Sequence, residues 1–126
     1  MSFPATLKTL TLETSSATTQ AYAALSHDYN PLHLDADFAA TTAFGAPIAH
    51  GTMALNLLMQ AISETFANQP IREHLDIRFS APVKVGETIL AGGERRAGEA
   101  DIYDIWVRKP DGTTTLTGTL HIEAVS

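Results

Sequence analysis

The segment "GTMALNLLMQAISETF", residues 51–66, constrains the fold of this chain more than any other. It reads as a helix of about four turns. Met53, Ala54, Leu55, Leu57, Leu58, Met59, Ala61, Ile62 and Phe66 cover most of its circumference. A helix that is apolar nearly all round is buried, not laid on a surface. Thr52, Asn56, Gln60 and Ser63 interrupt it, as one polar stripe at helical spacing. The rest of the chain must therefore supply a wall around this helix. With 126 residues in all, the chain has material for one core, and a single domain over residues 1–126 is expected.

The wall is legible downstream. Leu75, Ile77 and Phe79 alternate with polar residues, as do Leu116, Leu120 and Ile122 around Gly118. Between them lie "ETILAGGERR" and "DIYDIWVRKP", joined by "AGEA", and "KPDGT" is a strong hairpin signal. Four antiparallel strands thus follow the helix. Upstream, "LKTLTL" at residues 7–12 reads as a short edge strand. Ser15 or Ser16 can cap a helix through "ATTQAYAALS", with Ala17, Ala21, Ala24 and Leu25 as its apolar face. The expected class is α+β, a sheet curled around one buried helix. One such sheet leaves an edge strand and a helix face uncovered, so a homodimer is expected.

Composition narrows the chemistry. There is no cysteine, which excludes disulfides, thiolate metal sites and thiol nucleophiles. A net charge of -6 argues against nucleic acid and against anionic lipid as partners. The start of the chain lacks the basic and apolar pattern of a signal peptide, and no apolar run is long enough to span a bilayer. A cytoplasmic protein is the simplest expectation.

The reactive groups crowd into one connecting stretch, "SHDYNPLHLDADFAATTAFGAPIAHG", from Ser26 to Gly51. Asp28 and His33 flank an Asn-Pro turn, and Pro31 stiffens it. A carboxylate beside an imidazole makes an acid/base pair, and Asn30 offers an amide to orient either partner. The plain alternative is that Asp28 and Asn30 make only turn bonds to the backbone. Asp35 is the best cap for a short helix in "DADFAATTAF". Gly51 opens the long helix, where free N–H groups and the helix dipole can receive a carbonyl oxygen gaining negative charge. It is otherwise an ordinary cap glycine, with His50 a structural residue beside it. The histidine and carboxylate spacing fits no zinc pattern, so no metal is expected. A serine-hydrolase elbow, G-x-S-x-G, is absent.

Together, "DYNPLHLD", "FAATTAFGAPIAHG" and the apolar helix resemble the MaoC-like hydratases. Within them the chain most resembles the short, single-domain (R)-specific enoyl-CoA hydratases. The likeness covers nearly the whole chain, including "IRFSAPVKVGETI" from Ile77 to Ile89. The resemblance implies a hotdog fold and a homodimer with a sheet continuous across the interface. It implies an acyl-CoA thioester as substrate and no cofactor. Carried over by position, Asp28 is the base on a water that attacks C3 of a trans-2-enoyl thioester. His33 holds that water and assists the proton delivered to C2, Asn30 fixes the pair, and the Gly51 N–H binds the thioester oxygen.

Tyr29, Phe44, Ala49, His50, Leu55, Asn56 and Met59 are the expected substrate-binding residues. Tyr22, Tyr29 and Phe44 are expected at the mouth of the tunnel, and Leu55 and Met59 near its floor. Met59 stands where the family can carry a serine, and Asn56 can supply a polar contact instead. His27, before the catalytic Asp28, is a departure and is expected to face solvent. Arg72, Arg78, Lys84, Arg95 and Arg96 are candidates for the CoA phosphates. The competing readings are a hotdog thioesterase, a dehydratase acting on carrier-protein thioesters, and a non-catalytic acyl-thioester-binding protein.

Overall fold

The structure is a computed structural model and describes residues 3–125. The element order is β1 (Leu10–Glu13), α1 (Ser16–Ser26), α2 (Pro31–Leu34), α3 (Ala36–Ala40), α4 (Gly51–Thr65), β2 (Ile71–Phe79), β3 (Thr88–Arg95), β4 (Ile102–Arg108) and β5 (Thr114–Ala124). The strands form one antiparallel sheet in the order β1-β3-β4-β5-β2. Helix α4 packs against β1, β3, β4 and β5. For four strands to share one helix, the sheet must curl around it, and this is the expected hotdog arrangement.

The core follows from the two periodicities. On α4, Met53, Ala54, Leu57, Leu58, Ala61 and Ile62 are buried. On the sheet, Ile89 and Ala91 of β3, Tyr103, Ile105 and Val107 of β4, and Leu116, Leu120 and Ile122 of β5 meet them. Leu58, Ala61 and Ile62 are completely covered. Thr52, Asn56, Gln60 and Ser63 lie on the exposed side, so the polar stripe is where α4 leaves the sheet. The Tyr103 hydroxyl, which burial pushes above its ordinary pKa, donates to the Pro4 carbonyl and ties the N-terminal segment to β4.

Two expectations need correction. The first strand starts later than residue 7, at Leu10, with an isolated bridge at Thr6. The N–H of Lys8 is diverted to the Thr65 hydroxyl at the end of α4, at 2.8 Å, so the ladder is interrupted there. Helix α1 does not bury Ala17, Ala21, Ala24 and Leu25; all four are exposed, Leu25 by 76%. It buries Thr19 and Ala23 instead. The reason is its partner: α1 leans on the polar stripe of α4 through Tyr22, whose hydroxyl hydrogen-bonds Thr52 Oγ1 at 2.6 Å and accepts from Asn56 Nδ2 at 2.9 Å. Ser15 caps the helix, with Thr18 completing a reciprocal capping box.

Candidate active site

The stretch from Ser26 to Gly51 is built of short locally capped pieces. Helix α1 ends at His27, an exposed residue in the left-handed region with φ 60°. Asp28 Oδ1 then accepts the N–H of Asn30 at 3.2 Å, a side-chain-to-backbone turn. Asn30 Oδ1 accepts the N–H of Leu32 at 3.0 Å and caps α2, with Pro31 in its first turn. Asp35 Oδ1 accepts from Asp37 and Phe38 at 3.0 and 3.2 Å and caps α3, as expected. The single turn α2 was not anticipated, and it is what carries His33.

Asp28 makes the turn bond and also faces His33. While Oδ1 of Asp28 makes the turn, Oδ2 lies 3.7 Å from Nε2 of His33. That is too far for a direct hydrogen bond. Two polar atoms facing each other across such a gap can both contact one water. Among the described residues the Asn30 side chain makes no hydrogen bond to the pair; its side chain caps α2, and its backbone N–H is the donor to Asp28.

His33 has a defined tautomer. Its Nδ1 is 2.7 Å from the Ile48 carbonyl. A carbonyl only accepts, so Nδ1 carries hydrogen and Nε2 is the nitrogen turned toward Asp28. The carbonyl is itself well anchored. Ile48 N–H bonds the Leu32 oxygen at 3.2 Å, Ala49 N–H bonds Val83 at 2.7 Å, and Val85 N–H bonds Pro47 at 3.0 Å. Residues 47–49 thus clamp α2 to the loop between β2 and β3.

A cavity of about 310 Å³ opens beside His33; Asp28, Tyr29 and Asn30 are not among its lining residues. His33, Phe44, Ile48, Ala49, His50, Gly51 and Ala54 line one side, and Phe79 to Val83 with Thr115 line the other. Gly51 begins α4 there, and a Cβ at that position would meet nothing within 4 Å, so a ligand's approach to the backbone is open. Among the described residues the N–H groups of Gly51 and Thr52 have no acceptor, while that of Met53 is taken by His50 at 3.0 Å. Free N–H groups at the positive end of a helix of 15 residues are suited to an oxyanion.

Other expected residues are more dispersed. Tyr29 is 58% exposed beside Asp28. Leu55, Asn56 and Met59 are not among the residues lining this cavity. Leu55 and Met59 are partly buried against the core, and Asn56 holds Tyr22. Of the cationic candidates, Arg95 donates to the Phe3 carbonyl at 2.6 Å and Arg96 pairs with Asp104 at 2.7 Å. Residues missed from sequence are Ile48, through its carbonyl, and the wall from Ser80 to Val83 with Thr115. The "APVKVG" run was the available signal for that wall.

Asp28, His33 and His50 offer ligand atoms all within 4.8 Å of one another, a spacing a metal could use. The two imidazoles, however, are stacked, with centroids 4.0 Å apart and planes at 27°. Imidazole lone pairs lie in the ring plane, and one ion cannot lie in two nearly parallel planes. The stacking therefore disfavours one ion taking both rings as ligands.

A curled antiparallel sheet around one buried helix defines the hotdog fold. The chain belongs to the MaoC-like dehydratase family: the MaoC-like domain model matches residues 4–115. An (R)-specific enoyl-CoA hydratase of Aeromonas caviae is 39% identical over 96 residues, which is 75% of this chain and 66% of that enzyme's length. The crystal structure of the (R)-hydratase from A. caviae superimposes with TM-score 0.82 at 28% identity, covering 99% of this chain and 98% of the other. The R-hydratase PhaJ1 of Pseudomonas aeruginosa, unliganded, gives TM-score 0.83 at 28% identity, covering 98% and 82%. No helix among the described residues is long and apolar enough to cross a membrane.

Proposed function

We propose that this protein is a hydro-lyase that adds water reversibly to trans-2-enoyl-CoA thioesters, giving (3R)-3-hydroxyacyl-CoA. The observation that carries the reading is the 3.7 Å gap between Asp28 Oδ2 and His33 Nε2, beside the free Gly51 N–H. A water in that gap gives one proton to Asp28 as its oxygen adds to C3. Charge moves onto the thioester oxygen, which the Gly51 N–H stabilises. The pair then returns one proton to C2, so water is added and the site ends as it began. The (R) outcome is supported by the relatives' activity.

Hydrolysis is disfavoured by position. Glu64, the only acid on α4, lies about 20 Å along the helix from Gly51, at 1.5 Å per residue. It is paired with Lys8 at 3.0 Å, and that bond holds its carboxyl below the usual range.

The decisive experiment follows the conjugated-enoyl absorbance of crotonyl-CoA, with a thiol reagent in a parallel cuvette. Loss of the band without free thiol, and a 3R product on chiral analysis, is expected. Free thiol would replace hydration by thioester hydrolysis. An inert crotonyl-CoA with a reactive carrier-protein thioester would move the substrate to the carrier-linked class.

We further propose that the protein works as a homodimer joined along β2. The outer edge of this strand is unpaired among the described residues, and Phe79 at its end is 49% exposed on the cavity rim. A two-fold axis at Ile77 sets Leu75 opposite Phe79 of a second copy on the helix side. On the other side it sets Asp76 opposite Arg78. Apolar meets apolar and acid meets base, with both rows self-complementary.

A further inference from the structure

His50 is 3% exposed and stands at the N-cap of α4, yet its side chain makes no capping bond. Its ring faces the catalytic loop instead. Nε2 lies 2.9 Å from the backbone oxygen of Asp28. Because a carbonyl only accepts, Nε2 carries the hydrogen. One ring face is stacked on His33, and Tyr22 is tilted against the ring with centroids 4.9 Å apart. The other nitrogen, Nδ1, is buried without a hydrogen-bond partner among the described residues.

This is a poor choice for simple packing. A buried polar atom left unpaired forgoes the hydrogen bond it had in water, and an apolar ring would avoid that loss. What imidazole adds over an apolar ring is one N–H aimed at one carbonyl. That carbonyl is strategically placed. Asp28 and Asn30 otherwise make their hydrogen bonds within residues 26–33, to Ser26, to Leu32 and His33, and between Asp28 and Asn30. His33 is held to the sheet side through Ile48. Among the described residues, the bond from His50 is thus the one hydrogen bond that anchors the Asp28 turn to the body of the protein.

We infer that His50 is a positioning residue that sets the gap between Asp28 and His33, tethering the Asp28 backbone through Nε2–H and holding the His33 ring by its face. The inference rests on the hydration reading and deepens it. The two catalytic side chains come from segments anchored by different routes, and His50 is the residue that touches both.

The test is made on the full-length chain with two substitutions that separate the tether from the ring. His50→Gln keeps an N–H able to reach the carbonyl but loses the ring; His50→Phe keeps the ring and loses the N–H. His50→Phe removes the unpaired Nδ1 together with the bond to the Asp28 carbonyl, and the two changes oppose each other, so its melting temperature is expected to stay close to wild type. Its kcat on crotonyl-CoA is expected to fall about 100-fold with KM changed less than about twofold, since misplacing a reacting group by an ångström costs about that much. His50→Gln is expected to recover kcat to within about tenfold of wild type. Equal kcat for the two variants, or a loss confined to KM or melting temperature, overturns the inference.

A second readout needs neither turnover nor the variants to fold. In the ¹⁵N-labelled wild type, His50 should show an Nε2–H imidazole signal protected from exchange and coupled across the bond to the Asp28 carbonyl. Its absence overturns the tether. A wild type that shows the signal but hydrates no enoyl thioester leaves the tether standing and the hydration reading refuted.

Discussion

At the scale of single residues, Asp28 divides its carboxylate between two tasks. Oδ1 shapes the turn by accepting from Asn30, and Oδ2 faces His33. Asp28→Asn separates them, because the amide keeps an oxygen for the turn but its NH2 cannot take a proton from water. Its kcat on crotonyl-CoA is expected to fall about 10²–10⁴-fold, the usual worth of a general base. The melting temperature should stay close to wild type. A near wild-type rate by initial-rate assay would remove Asp28 as the base. Much at this scale was readable in the chain. The caps at Ser15 and Asp35 and the helix start at Gly51 depend on neighbours within a few residues. The Ile48 carbonyl that orients His33 was not readable. Every residue has a carbonyl, and only the folded backbone selects one.

At the scale of elements, the strands and α4 came through with their types intact, because each carries a strong period and a large apolar face. Helix α1 did not. Its apolar face was read from alanines and Leu25, but it docks on a polar stripe, so apolar spacing carries no information about which side is buried. Strand β5 shows a tighter constraint. A Cβ at Gly118 would run into the Asp76 carbonyl of β2, so glycine is what allows the two strands to close. Gly118→Ala is expected to cost about 1–3 kcal/mol, as overpacking does when the obstacle is backbone. Urea unfolding should show the midpoint falling with little change in slope. An unchanged midpoint would show that β2 yields freely.

At the scale of the whole molecule, the free edge of β2 bears on both assembly and activity, because the strand ends at the cavity rim. Ile77→Lys places two like charges opposite each other on the proposed axis. It is expected to give a monomer by sedimentation at concentrations where the unaltered chain is a dimer, and to lower kcat with it. A variant that still sediments as a dimer would place the interface elsewhere. The sequence by itself determined the class of fold, since a helix apolar nearly all round admits few solutions other than a sheet wrapped about it. It also pointed to where the proposed chemistry lies, since one stretch holds Asp28, Asn30, His33, His50 and Gly51. Only the tertiary structure decided how those groups are arranged. The gap between Asp28 and His33, the carbonyl partners of His33 and His50 and the far wall of the cavity arise where α2, the start of α4 and the loop after β2 converge. Those contacts join residues distant along the chain. Periodicity and capping act over a few residues, so neither can specify them.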